Sequence, residues 1–406
     1  MDSATNQQYA ARIEAELRQN ILPFWIQHAV DRTRGTFFGS VTNDLVVDRQ
    51  APRGALLTAR ILWTYAAASR HYPDPEYRAM ADFAYADLIG RFLDREHGGL
   101  FWSIDADGAP LEPRKQIYGQ AFGVYALTEY HRATGRREPL DQAIALYRLI
   151  EEHARDRHLG GYFEAYARDW QPIDDVRLSA VDLNEPKSQN THLHVMEAYT
   201  NLLRVWPDAE LRQRQADLLD VMLTRILDPA TFHLGLFFST DWQRRSDKIS
   251  FGHDIEASWL LTEAAEVLGD PALIARILPV ALQMAEVTLA QGVDADGALY
   301  NEAGPRGLTD TNKEWWPQAE AVVGFLNACQ HGGDERFWRA ALRVWDFIER
   351  RLVDRAHGEW FRGVTREGAL LADQLKVGFW KCPYHNGRTG LEAVARLRAL
   401  AAGHGA

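Results

Sequence analysis

The sequence predicts an all-α chain, an (α/α)6 barrel: a toroid of inner and outer helices with short β-hairpins and loops at one mouth. Three observations predict it. A short pattern, Gly-x-x-[Phe/Tyr], recurs at Gly35, Gly98, Gly160, Gly235, Gly297 and Gly358, at intervals of 63, 62, 75, 62 and 61 residues. Near-equal spacing is the mark of repeated structural units. Each interval has room for two helices of different kinds, one amphipathic and one apolar or small on nearly every side. Finally, 406 residues exceed the ~250–300 at which one core stops growing, yet no Pro/Gly/Ser-rich linker divides them. Six pairs close a ring and neither terminus shows a polar cap, so closure is preferred over an open solenoid. The reading is one domain over residues 1–406.

Residues 7–28 read as the outer helix that completes the ring, kinked at Pro23. Each Gly-aromatic pattern reads as a hairpin, with aromatics for the strand and glycine for the turn. The inner helices are TARILWTYAAASR (58–70), QAFGVYALTEY (120–130), VMEAYTNLLRVW (195–206), IEASWLLTEAAEVL (255–268), AEAVVGFLNACQ (319–330) and TGLEAVARLRAL (389–400). The outer type is PLDQAIALYRLIEEH (139–153), with Leu140, Ala143, Ile144 and Tyr147 on one stripe. The one long interval carries SAVDLNEPKSQ (179–189), a polar loop.

Composition narrows the function. A net charge of −11 argues against nucleic acid. No run reaches the ~18 apolar residues of a membrane span, so no membrane is expected. The N-terminus lacks the order of a signal peptide, and Cys329 and Cys382 are too few for a disulfide scaffold; both point to the cytoplasm. The 13 Trp, 14 Tyr and 17 Phe supply flat apolar faces of the kind sugar rings stack on.

Inner helices of a toroid share one direction, so their N-termini converge. The residues there are Arg60, Tyr118, Asn190 with His194, His253 with Glu256, Trp316 with Glu320, and His385 with Arg388. Arg60, His194, Glu256, Glu320 and Arg388 align as equivalent positions. A spacing of three puts His253 and Glu256 on one face, within hydrogen-bonding reach. A carboxylate beside an imidazole fixes its tautomer and raises its basicity.

Structural roles compete with these. His71, His131 and His331 fall at helix C-termini, where the partial negative charge favours imidazole. His192 is ~200° from His194 at ~100° per residue, so it faces the wall, and the His-x-His string is a poor chelate. No metal is expected. Trp315, Trp316 and Trp380 are as well suited to a core as to a site. Glu320 is either a wall acceptor or an acid. Buried Arg60 needs an oxygen-rich partner. There is no GxGxxG, Walker or G-x-S-x-G string. Two bases facing each other across a sugar pocket suit proton transfer at a carbon next to a carbonyl.

The strings PRGALLTARILWTYAAASR, NTHLHVMEAYTNLLRVWP, SFGHDIEASWLLTEAAEVLG, WWPQAEAVVGFLNA and FWKCPYHNGRTGLEA carry a resemblance over essentially the whole chain. The sequence resembles the N-acylglucosamine 2-epimerase superfamily, most nearly its cellobiose 2-epimerases. The resemblance implies the (α/α)6 barrel and cofactor-free epimerisation at C2 of the reducing-end glucose of β-1,4 disaccharides. Cellobiose, lactose and mannobiose are the implied substrates, lactose giving epilactose, with some ketose formation. It implies His253, His385, His194 and Arg60 as catalytic, and Tyr118, Asn190, Glu256, Trp259, Trp316, Glu320 and Trp380 as sugar-contacting.

In the implied mechanism His253 assists ring opening and His385 takes the C2 proton. Arg60 and His194 stabilise the enediolate, and after rotation about C2–C3, His253 returns a proton to the other face. Effective bases at neutral pH need pKa values near 7, which imidazole supplies with little tuning. Asn-Gly-Arg after His385, where N-acylglucosamine 2-epimerases carry Val-Pro-Arg, weakens the N-acyl sugar reading. A monomer acting on a small sugar is expected. The rivals are a mannose-type aldose–ketose isomerase, a non-catalytic sugar binder, and an inverting hydrolase with Glu256 and Glu320 as its carboxylates, ~6.5–9.5 Å apart.

Overall fold

The computed structural model describes residues 2–371 and 373–403. Six inner helices, α3 (Ala55–His71), α5 (Ile117–Thr134), α7 (Gln189–Leu203), α9 (Phe251–Leu268), α11 (Trp315–Gly332) and α13 (Tyr384–Ala401), pack side by side, and α13 returns to α3. Outside them lie α1 (Ser3–Glu16) with α2 (Leu22–His28), then α4 (Pro75–Asp87), α6 (Arg137–Leu149), α8 (Ala209–Val221), α10 (Pro271–Val287) and α12 (Glu335–Phe347). α1 packs on α13, and α4, α6, α8, α10 and α12 on the inner helix before each. The two kinds differ as the sequence implies. Every residue from Ala55 to Ala68 of α3 is buried, whereas α6 buries one face.

The inner helices start three to six residues ahead of the apolar strings. α7 stops at Leu203 rather than running to Trp206, since Trp206 precedes Pro207 and is disfavoured in helical conformation. The irregularity before Pro23 belongs to the repeat rather than to proline. All six outer helices contain a five-residue π-helical turn, at Leu17–Ile21, Leu88–Phe92, Ile150–Ala154, Met222–Ile226, Thr288–Gly292 and Ile348–Leu352. Pro23 itself lies in the first turn of α2, where its missing N–H costs little.

The hairpins are present, but glycine is not their anchor. Asp31, Asp94, Asp156, Asp228, Asp294 and Asp354 open the six turns. Their carbonyls accept from the N–H of Gly35, Gly98, Gly160, Phe232, Gly297 and Gly358. All six of those donors are left-handed, Phe232 at φ +59° included. The Gly235 match is therefore three residues out of register, and the true intervals are 63, 62, 72, 65 and 61 residues. Buried cations tie down the aspartates. Lys115 reaches Asp94 at 2.9 Å, Lys187 Asp156 at 2.7 Å, Lys313 Asp294 at 3.1 Å and Arg53 Asp31 at 3.2 Å, and Lys376 pairs with Asp354. In the fourth unit the equivalent place is Ile249, and Arg244 approaches Asp228 at 3.6 Å instead.

The strand that enters each inner helix pairs with one from the next hairpin. Arg53–Gly54 joins Ser103–Ile104, and the pattern repeats four times round the mouth. At the sixth junction Val41 pairs with Val377, so the first unit bonds to the last. The ring is closed. The long interval holds a loop (167–186) pinned over the mouth by Gln116 Nε2, which donates to the Arg177 carbonyl at 2.7 Å. The end of the predicted loop is instead the entering strand Lys187–Ser188 and the start of α7.

Pro271–Gly292 is long and apolar enough to cross a membrane by length and composition. Ile277, Ala281, Met284 and Ala285 are nevertheless its buried stripe, packed on α9 and α11.

Candidate active site

The helix N-termini do converge. Nine of the eleven residues singled out from the sequence, Arg60, Tyr118, Asn190, His194, His253, Glu256, Trp316, Trp380 and His385, line one cavity of about 160 Å³. A second cavity of about 400 Å³ adjoins it under the 167–186 loop, sharing Asn190, His253, Glu314 and Trp316. The inner space falls below the ~300–1,000 Å³ of ordinary small-molecule sites; the pair together admits a ligand longer than one ring. Among the described residues, Asn190 Oδ1, Glu256 Oε2, Arg60 Nε and Trp315 Nε1 are buried without a hydrogen-bond partner, and all four residues line the inner cavity. Orphaned polar atoms grouped around one cavity suit a ligand rich in hydroxyls.

Each histidine is oriented by what stands behind it. His385 Nδ1 lies 2.6 Å from Glu320 Oε1. Burial pushes the Glu320 carboxyl up, but the Arg388 charge and the His385 hydrogen bond bring it down to about 2. An ionised carboxylate only accepts, so Nδ1 carries the proton and Nε2 keeps its lone pair. His194 repeats the arrangement, with Nδ1 at 2.8 Å from Glu197 Oε2. His194 was expected to donate to an enediolate. Its N–H is instead spent on Glu197, and burial lowers its pKa despite that carboxylate, so its Nε2 is left as an acceptor. The donor beside Arg60 is Tyr118. Arg60 Nη2 donates to the phenol oxygen at 2.6 Å, and the phenol's own O–H stays free. Burial holds that phenol well above its ordinary pKa, so it remains protonated.

His253 does not bond Glu256. Its Nδ1 meets Ser250 Oγ at 2.8 Å, while Glu256 Oε1 accepts from Arg388 Nη2 at 2.6 Å. A shared helix face fixes proximity, and the stronger guanidinium partner decides which way Glu256 turns. Burial, then the charge of Glu320, raises Glu256 well above the usual carboxylate range, which favours its neutral form. Burial also pushes His385 and His253 down to about 3, for His253 with the charges of His194 and His385 acting the same way. Both lie below the range near 7 that the sequence suggests, so the resting site holds neutral imidazoles. Trp316 packs against both rings, at 4.8 Å from His253 and 5.7 Å from His385. Trp380 forms another wall, with Tyr118 and Trp102 each at 6.0 Å.

Trp259 and Glu320 lie beneath the cavity rather than on it. The Trp259 indole N–H donates to Glu320 Oε2 at 3.1 Å, and both side chains are buried. Neither lines that cavity. Counted from the first helical residue, Arg60, His194, Glu256 and Glu320 occupy one level, and Arg388 stands one place earlier. His192 faces the wall as expected: Nδ1 is 2.6 Å from the Ser188 carbonyl, and Nε2 accepts from the Tyr162 N–H at 2.8 Å.

Sequence reasoning missed Glu197, Ser250, Glu314, Arg362 and Tyr384. Glu197 was within reach, since it follows His194 by the same three residues that drew attention to Glu256. Ser250 is the N-cap of α9, a recognisable helix-start signal.

Glu256, Glu320 and His385 offer ligand atoms within 4.8 Å of one another. Arg388 Nη2 already donates to both carboxylates, at 2.6 and 2.7 Å, so a cation there would have to displace a guanidinium. The same closeness overturns the hydrolase alternative. Two carboxylates on one nitrogen, one of them outside the cavity, cannot flank a glycosidic bond at ~6.5–9.5 Å.

The family model described as N-acylglucosamine 2-epimerase (GlcNAc 2-epimerase) matches residues 36–387. The chain belongs to the N-acylglucosamine 2-epimerase family. Like others of this family it is a carbohydrate epimerase built on the (α/α)6 barrel. A cellobiose 2-epimerase from Bacteroides fragilis is 46% identical, covering 94% of this chain and 97% of that relative. The solved structure of a cellobiose 2-epimerase from Bacillus thermoamylovorans superposes with a TM-score of 0.91 at 38% identity, covering 96% and 99% of the two chains. That of a cellobiose 2-epimerase from Spirochaeta thermophila gives 0.90 at 42% identity, covering 98% of each.

Proposed function

We propose that this epimerase inverts C2 of the reducing-end glucose of a β-1,4 disaccharide such as cellobiose or lactose. The observation that carries the chemistry is His385: a neutral imidazole whose Nδ1–H is fixed on Glu320, leaving Nε2 as the base in a cavity that His253 also lines. The reducing-end ring occupies the inner cavity and the second ring the outer one.

The protons balance in the following sequence. His253 takes the C1 hydroxyl proton, neutral Glu256 gives its proton to the ring oxygen, and the C1–O5 bond breaks to leave an aldehyde. His385 then takes the C2 proton, and the electron pair forms an enediolate whose O1 is held by Arg60 and the free Tyr118 O–H. His194 accepts from a sugar hydroxyl and limits its rotation. After turning about C2–C3, the intermediate receives its proton on the opposite face from the His253 imidazolium. Ring closure sends the O5 proton back to Glu256 and the His385 proton to O1, restoring every group.

The test is incubation with lactose in deuterated water, with products resolved and the label located. Epilactose carrying deuterium at C2 is the expected result. Ketose with label at C1 as the main product would make the chain an aldose–ketose isomerase. Rebound lactose with no C2 label would make it a binder.

A further inference from the structure

Arg388 does not reach the cavity; its side chain is 1% exposed and lies beneath the floor. Yet it touches the carboxylates behind two of the three cavity histidines. Its Nη1 donates to Glu197 Oε1 and to the Tyr384 hydroxyl, which in turn donates to the same carboxylate oxygen. Its Nη2 donates to Glu256 Oε1 at 2.6 Å and to Glu320 Oε1 at 2.7 Å. One guanidinium therefore holds an oxygen of each of three carboxylates from three different helices, α7, α9 and α11. Glu197 keeps its other oxygen for His194, and Glu256 keeps its other oxygen for the cavity.

We propose that Arg388 is the positioning residue of the active site: its two nitrogens separately fix the carboxylates behind His194 and behind His385, so that both imidazoles present Nε2 to the substrate. This rests on the epimerase reading above. The division of labour is geometric. Nη1 serves the branch that ends at His194, and Nη2 serves the branch that ends at His385 with Glu256 beside it. Only a planar fork spans both branches; a lysine ammonium carries the same charge as a point and cannot. Charge is also accounted for. Arg388 and Arg60 balance two anions, Glu197 and Glu320, and the third carboxyl, Glu256, is left neutral as the acid. A buried ion cluster is weak evidence of a stabilising role in itself, which leaves orientation as the function that the arrangement serves.

The experiment compares wild type, Arg388→Lys and Glu197→Gln in the full chain, by lactose kinetics and by ¹⁵N spectra of the histidines. Wild type should show His194 and His385 each as a single Nδ1–H tautomer. Arg388→Lys should lose both fixed tautomers and on the order of 10²-fold in kcat, the scale of a small misplacement of reacting groups. Its KM should stay within about threefold, because Arg388 touches no ligand. Glu197→Gln keeps a single oxygen, which Arg388 and Tyr384 claim, and turns its NH2 on His194 Nδ1; it should release the His194 tautomer and leave His385 fixed, and it keeps the test open if Arg388→Lys does not fold. Unchanged tautomers with kcat within about threefold in Arg388→Lys would make the residue merely structural and overturn the proposal. So would a raised KM at constant kcat, or a Glu197→Gln variant that disturbs His385 as much as His194. Wild type that shows the fixed tautomers but puts no label on C2 would instead remove the epimerase reading on which the proposal stands.

Discussion

Replacing Glu320 by glutamine keeps the side chain's size and removes the charge behind His385. In the ground state little changes, because a neutral imidazole needs only an acceptor at Nδ1, 2.6 Å away. In the transition state His385 is becoming an imidazolium. A hydrogen bond to a charged partner is worth ~1.5–3 kcal/mol, against ~0.5–1.5 for a neutral one. The difference is about 1 kcal/mol of transition-state stabilisation, which at ~1.4 kcal/mol per decade is roughly a fivefold fall in kcat. KM should hold, since Glu320 lies beneath the cavity, and Arg388 keeps Glu197 and Glu256, so a cooperative melt should survive. Steady-state kinetics on lactose, with thermal unfolding followed by circular dichroism, provide the check. A kcat within twofold of wild type would show that the carboxylate does not assist His385. A loss restricted to KM would put Glu320 on the substrate after all.

Three further outcomes follow from the same geometry. Trp316→Ala should cost most of the disaccharide turnover with cooperative folding intact, because the ring packs on both histidines and is only partly buried; a collapse of the thermal transition would mark it as core. The acid limb of kcat/KM, which reports groups of the free enzyme, should fall well below pH 6.5, because burial depresses His385 and His253 to about 3 and the neutral imidazole is the active form. The same depression makes stability decline as pH falls below 6.5, since unfolded imidazoles take up protons that folded ones refuse; a pH–rate limb at or above 6.5, with the fold intact, would contradict it. Lys115→Met should destabilise by about 3 kcal/mol, the low end for breaking a buried pair, because Asp94 keeps Arg168 at 2.9 Å; urea unfolding unchanged within 1 kcal/mol would show the pair to be idle.

Much of this was legible in the sequence, and the failures have physical reasons. The two helix types announce themselves by apolar periodicity, so the ring and its direction are readable from the residues alone. The repeat's real anchor could not. Six aspartates open the turns, but aspartate is common on any surface, and in the fourth unit the left-handed place is filled by Phe232 rather than glycine. The buried lysines were equally silent, because lysine reads as exposed until its partner is known. At the site, position along a helix proved readable and side-chain direction did not. His253 and Glu256 share a face, yet one turns to Ser250 and the other to Arg388. Trp259 and Glu320 were placed on the sugar but do not line the cavity: Trp259 stands one helical turn past Glu256, whereas Glu320 is level with Glu256 and turns to His385, Arg388 and Trp259.

The central claim is that His385 and His253 each serve one face of C2, and isotope exchange tests it most directly. Lactose and epilactose are incubated separately in deuterated water with wild type, His385→Asn and His253→Asn, and C2 label is followed in recovered substrate and in product. His385→Asn should lose C2 exchange from the glucose-type end while keeping some from the mannose-type end, and His253→Asn should show the reverse. Each should lose net epimerisation by ~10²–10⁴-fold, and the double variant should lose little more, because the pair acts as one unit. Equal residual exchange on both epimers in both variants would assign the chemistry to a single base and contradict the two-histidine account.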